Sequence, residues 1–144
     1  MAQNLEMRTS CNPCVRFKSE GERKIAFFLD HNKIRFQYEP AVVIESYDQK
    51  PRIWYPDFYL PEFKTYIEHY GLAGHQTYDK GIKVKEGAYL KSGLDVIPVY
   101  PWMFSEDWRG YLMRELKRRT IRSYHSLPTK PYIRCPIRNY QRRG

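Results

Sequence analysis

Long apolar runs are missing from this sequence. None approaches the roughly 20 residues that a membrane-crossing helix needs, so no membrane association is expected. The opening MAQNLEMRTSCNPC also lacks the apolar stretch of a secretory leader, which argues against export. Cysteine is scarce and odd in number (Cys11, Cys14 and Cys135), so a disulfide framework is excluded as the organising device. An intracellular, cytoplasmic protein is the expectation. Internal repeats and low-complexity tracts are absent, which leaves a globular domain in place of a solenoid. Acids are in deficit: 16 Asp and Glu face 25 Lys and Arg, for a formal net charge of +9.

What is present is enough to fold. With 144 residues, 42% of them hydrophobic, the chain can bury one core but not two. The positive charge is gathered at one end, where residues 105–144 hold eleven Lys and Arg against three acids. Such a segment neutralises phosphate whatever the base sequence. Nucleic acid is therefore the expected partner, with Arg114, Lys117, Arg118, Arg119 and Arg122 as candidate contacts. A solvated surface is the plain alternative. Trp102, Trp108, Tyr111, Tyr124, Tyr132 and Tyr140 could stack on exposed bases. The commoner use of residues such as Trp102 and Trp108 is in a core or a dimer interface.

Periodicity and punctuation predict the elements. Ser19 and Glu22 have capping-box spacing, and Glu22, Ile25, Ala26 and Leu29 form a stripe, so a helix runs from the Ser19 cap to about Asp30. KIRFQYEPAVVIE reads as one or two strands interrupted by Pro40, and SYDQKP as a loop. IWYPDFYL and TYIEHYG read as two aromatic strands joined by PEFK. YDKGIKVKEGAYLKSG reads as a helix ending at Gly93, LDVIPVYP as a strand of the kind found inside a sheet, and SEDWRGYLMRELKRRTIRSYH as a helix capped by Ser105. The order α-β-β-β-α-β implies an α/β domain, a central mixed sheet flanked by helices. Residues 1–18 are expected to be irregular, 19–101 to form the core, and 102–144 to add a basic helix and an extended tail to the same domain.

Two acids interrupt the apolar strands, Asp57 in one and Glu68 in the next. If the PEFK loop turns between Glu62 and Phe63, paired residues have numbers summing to 125, and Asp57 faces Glu68. Opposed carboxylates repel, and a hard divalent cation such as Mg²⁺ would compensate them. A solvated face with lysine partners is the alternative, although the aromatic neighbours leave little room for one. Glu22 can close the capping box with Ser19 or point at the sheet. Zinc at Cys11 and Cys14, completed by Cys135 and His125, is a weaker metal reading than free thiols.

YPDFYLP followed by YIEHYG resembles the PD-(D/E)XK nuclease superfamily, with its restriction-endonuclease-like fold. The similar variants are nuclease domains attached to some DNA helicases, and very-short-patch-repair-like and transposon-end-cleaving relatives. The resemblance runs from about Phe17 to Tyr100 and takes in FKSEGERKIAFFLDHNKIRFQYEP upstream and YDKGIKVKEGAYLKSGLDVIPV downstream. It implies Mg²⁺ or Mn²⁺ held by Asp57 and Glu68, with Glu22 and the backbone carbonyl of His69 as further ligands. One departure is plain: the family's lysine two residues after the second acid is missing, since Tyr70 stands there. In the similar subgroup the lysine lies in a Gly-x-x-x-Lys setting on the next helix, which points to Gly81 and Lys85, with Lys83 as the fallback. The His69 side chain, by alternation, falls on the opposite sheet face and is not a candidate base. The implied activity is metal-dependent DNA endonuclease, directed by DNA structure or nicking, with no fixed sequence read. The alternatives are a catalytically idle nucleic-acid-binding module and a nuclease subunit needing a helicase or transposase partner. Pairing into a homodimer is compatible with either.

Overall fold

The computed structural model describes residues 15–45, 48, 50–74 and 76–126. The cysteines of the zinc reading, Tyr132, Tyr140 and the tail from 127 lie outside the described residues. The described chain is mixed α/β, in the order α1 (Glu20–His31), β1 (Gln37–Tyr38), β2 (Val42–Glu45), β3 (Pro51–Trp54), β4 (Phe58–Leu60), β5 (Thr65–His69), α2 (Gln76–Lys91), β6 (Val96–Val99), a 3-10 helix (Pro101–Ser105) and α3 (Trp108–Ser126). Among the described residues, no helix is long and apolar enough to cross a membrane.

Five strands, not three, separate the first two helices. IWYPDFYL is two strands because Pro56 has no N–H to give a ladder, and the chain changes sheets across Tyr55–Asp57. β2 and β3 form their own antiparallel ribbon, while the main sheet has the order β1-β4-β5-β6. β1, β4 and β5 are antiparallel neighbours, and β6 runs parallel to β5, so the sheet is mixed. The β4–β5 register pairs Phe58 with Ile67, Tyr59 with Tyr66 and Leu60 with Thr65, each summing to 125. The turn closes through the Phe63 N–H on the Leu60 carbonyl (3.2 Å), with Lys64 at φ 51°. β6, expected inside the sheet, is an edge strand, which is where Pro98 costs least.

Helix ends follow capping chemistry. Ser19 Oγ accepts from the Glu22 N–H at 3.1 Å. α2 ends in a Schellman turn: the Gly93 N–H reaches the Leu90 carbonyl, the Leu94 N–H reaches that of Tyr89, and Gly93 sits at φ 71°. α3 begins at Trp108, not at Ser105, because Pro101 opens a 3-10 turn first. The Asp107 carboxylate then accepts from the Gly110 N–H at 2.9 Å.

The main sheet is covered on both sides. Phe58, Leu60, Ile67, Ile97 and Val99 share a core with α1 (Ile25, Phe28, Leu29) and α3 (Trp108, Leu112, Leu116). Trp108 is thus a core residue, its ring 5.3 Å from that of Phe28, and is not free to stack on a base. The other side carries Tyr66 and Val96 against Ala88 and Tyr89 of α2 and Val42, Ile44 and Trp54 of the ribbon. Strand alternation assigns each residue of β5 to one side or the other.

Candidate active site

Glu68 lies on the α2 side of β5 and is only 4% exposed. α2 meets it with two residues one turn apart. Lys85 Nζ pairs with Oε1, and the Tyr89 hydroxyl donates to Oε2 at 3.0 Å. The Lys85 ammonium also lies 5.8 Å from the centre of the Tyr89 ring. Burial pushes the Glu68 carboxyl above its ordinary value, while Lys85 and the Tyr89 hydroxyl pull it back only in part. Lys83, the other lysine considered, is exposed.

Asp57 stands just ahead of β4, where the register extended by one residue sets it opposite Glu68. Its Oδ2 accepts the His69 backbone N–H at 2.6 Å. Burial, then the Glu68 charge, push its carboxyl up to about 7, with a smaller push from Glu22; the His69 N–H and Lys85 oppose them. The three acids therefore share one field although they come from three elements.

Glu22, 6% exposed at the start of α1, touches both the Ser19 cap and the sheet, though it takes the Ser19 hydroxyl and not the Ser19 N–H of a capping box. Ser19 Oγ donates to Oε1 at 2.9 Å. Oε2 takes the Tyr38 hydroxyl at 2.5 Å and the Lys18 N–H at 3.1 Å, which ties the acid to the sheet edge at β1. The His69 ring is on the α1 side, 3.4 Å from Ser19 Oγ and 5.5 Å from the Phe104 ring. Burial lowers its pKa, so it is neutral there. The His69 carbonyl accepts from the Gly71 N–H at 3.1 Å. Among the described residues, no three His, Cys, Asp or Glu side chains are gathered into a ready ligand group. The donor chemistry still suits a hard cation: two sheltered carboxylates, one pushed up by burial and then by the other's charge.

The basic helix is less free than its charge count suggested. Arg119 is 11% exposed and forks onto Asp95 at 2.6 and 2.8 Å while holding Glu115 at 2.6 Å. It ties α3 to the turn before β6 and is spent on the fold. Arg118 pairs with Glu115, and Arg114 approaches Asp107 at 3.3 Å. The Arg114–Asp107 pair faces solvent, where a phosphate can displace it at little cost, whereas Arg118 is exposed but its partner Glu115 is 16% exposed and shared with Arg119. Lys117 and Arg122 are exposed. The Tyr111 hydroxyl donates to the Pro98 carbonyl, and exposed Trp102 stacks on Tyr100 with centroids 4.8 Å apart.

Reading the sequence overlooked Tyr38 and the reach of Tyr89 as partners of the acids. Tyr89 carried a signal, standing four residues after Lys85; Tyr38 carried none, because the β1–α1 approach is tertiary. No protein-family model matches this chain, and no curated protein or solved structure matches it.

Proposed function

We propose that this chain is a metal-dependent DNA endonuclease of the PD-(D/E)XK, restriction-endonuclease-like type. The observation that carries the reading is the meeting of Asp57 ahead of β4, Glu68 near the end of β5 and Lys85 in the middle of α2, with Glu22 in the same field. Mg²⁺ or Mn²⁺ would be held by Asp57 and Glu68, with Glu22 and the His69 carbonyl as further oxygen donors. When bound, the ion supplies charge neutralisation and polarisation at the phosphoryl oxygen.

The chain's own groups do the rest. Lys85 brings a positive charge to the phosphodiester, orienting the attacking water and offsetting charge that develops on the phosphoryl oxygens. The Tyr89 hydroxyl and the His69 N–H hold Glu68 and Asp57 in place. The His69 ring, on the far side of the sheet, takes no proton from the water. Arg114, Lys117, Arg118 and Arg122 grip DNA backbone, which favours recognition by DNA structure over base sequence.

A second reading has its own support. Glu68 is already satisfied by Lys85 and Tyr89, and Glu22 by Ser19, Tyr38 and Lys18. Acids so well partnered suit an idle nucleic-acid-binding module, or a nuclease subunit that a helicase or transposase partner must open. One experiment separates these readings: incubation of supercoiled plasmid and branched DNA with the protein in Mg²⁺, Mn²⁺ or EDTA, beside Asp57→Ala. Metal-dependent nicking that vanishes in the variant is expected. DNA binding without cutting in any metal would overturn the stand-alone enzyme.

A further inference from the structure

A groove of about 580 Å³ opens between β3 and the middle of α2, and Lys85 joins it to Glu68. Its walls are largely apolar and aromatic, from Ile53, Trp54, Tyr55 and Val84, with Gly81 and the charged side chains of Lys18, Lys85 and Glu39 making up the rest. Ile53, Tyr55 and Val84 are each more than half exposed, although large apolar side chains gathered at one place on a surface are usually covered. The volume lies within the roughly 300–1,000 Å³ of small-ligand sites.

We propose that this groove is a subsite for one unpaired nucleobase beside the scissile phosphate, so that DNA with an unpaired nucleotide at the cut is the preferred substrate. The inference rests on the nuclease reading above. Three features converge on it. Aromatic walls with two amines suit a flat base joined to a phosphate, whereas an apolar peptide side chain has no use for the amines. Lys85 belongs to the groove and to the acids at once, since its ammonium pairs with Glu68. Trp54 is held rigidly: its ring meets Tyr89 edge-on at 5.5 Å, and the Tyr89 hydroxyl is bonded to Glu68. A base in the groove therefore sits one side chain from the catalytic carboxylate. Lys18 is 68% exposed and pairs with Glu39, which is 27% exposed and lines the same groove, so a phosphate arriving there competes with that carboxylate for the ammonium. A base within a duplex has both faces covered by its neighbours and offers nothing to these walls. Only an unpaired one can enter.

The test uses the full chain in Ca²⁺ with matched oligonucleotides, one fully paired and one carrying a single unpaired 2-aminopurine at a flap or gap. Wild type should bind the unpaired form about tenfold more tightly, the scale of one base stacking on an aromatic side chain, and should quench its fluorescence. Tyr55→Ala should remove that preference and the quenching, while Tyr55→Phe, which keeps the ring, should retain both. Equal affinity for the two oligonucleotides, an unquenched probe, or a preference untouched by Tyr55→Ala overturns the subsite. Cleavage in Mg²⁺ then separates the two readings. Metal-dependent cutting of paired and unpaired DNA at one rate removes the subsite and leaves the nuclease. A Tyr55-dependent preference without any cutting keeps the subsite and removes the nuclease.

Discussion

The two sides of the main sheet are built for different ends. The side under α1 and α3 is closed by aliphatic and aromatic packing, with Ile67 and Leu112 fully buried. The side under α2 carries buried Glu68 and Tyr89 with the partly exposed Lys85, and opens onto the groove. Three consecutive residues of β5 show the division: Ile67 enters the core, Glu68 the candidate site, and His69 turns back to the core side. A strand two residues in period can thus serve stability and chemistry in alternate positions, and a single-step substitution changes one without the other.

Lys85→Ala should break that separation most strongly, because it removes the charge compensating buried Glu68. Nicking should fall about 10²–10³-fold. Stability in EDTA should also drop by roughly 2–3 kcal/mol, less than a fully buried pair would lose because Lys85 is about one-third exposed. Added Mg²⁺ should recover part of that loss in urea titrations; a variant whose unfolding midpoint ignores Mg²⁺ would argue against a cation at these acids. Ile67→Ala acts on the other side alone. It should cost about 3 kcal/mol through the cavity it leaves, while residual nicking per folded molecule stays near wild type.

Gly21→Ala probes leakage between the sides. In an open helix the change would stabilise, but here the new Cβ would lie 2.2 Å from Cε1 of His69. Displacing that ring should cost about 2 kcal/mol and slow nicking through the His69 N–H on Asp57. A more stable variant with unchanged nicking would sink the coupling.

The smallest effect concerns pH. Asp57 keeps its proton up to about pH 7 in the folded chain but loses it in the usual carboxylate range when unfolded. The folded state thus binds more protons between about pH 4 and 7, and stability falls as pH rises through that window. Asp57→Asn keeps the acceptor for His69 without the charge. In EDTA it should melt above wild type at pH 8, by the equivalent of about 1–2 kcal/mol, with the gap closing toward pH 4. Parallel melting curves for the two proteins across that range would count against the burial of Asp57.

Local chemistry was the legible part of this chain. The Ser19 cap, the Gly93 terminus and the β4–β5 register each depend on a few contiguous residues, so spacing alone specifies them. The break at Pro56 was less visible, since IWYPDFYL satisfies strand composition throughout and only pairing shows where it changes partners. Arg119 shows the limit of counting charge. An arginine forked onto Asp95 and Glu115 and one waiting for phosphate read identically in a sequence. The groove was hidden for the same reason, as Trp54 and Tyr55 meet Val84 and Lys85 only when the ribbon lies beside α2.

Asp57 is anchored by an amide hydrogen, and an amide hydrogen has no letter in the genetic code. Nineteen of the twenty residues at position 69 would supply the same donor to Asp57, proline alone being unable to. The placement of this carboxylate is therefore inherited with the path of β5 itself. It can persist through drift of the neighbouring side chains, leaving no trace in a comparison made residue by residue.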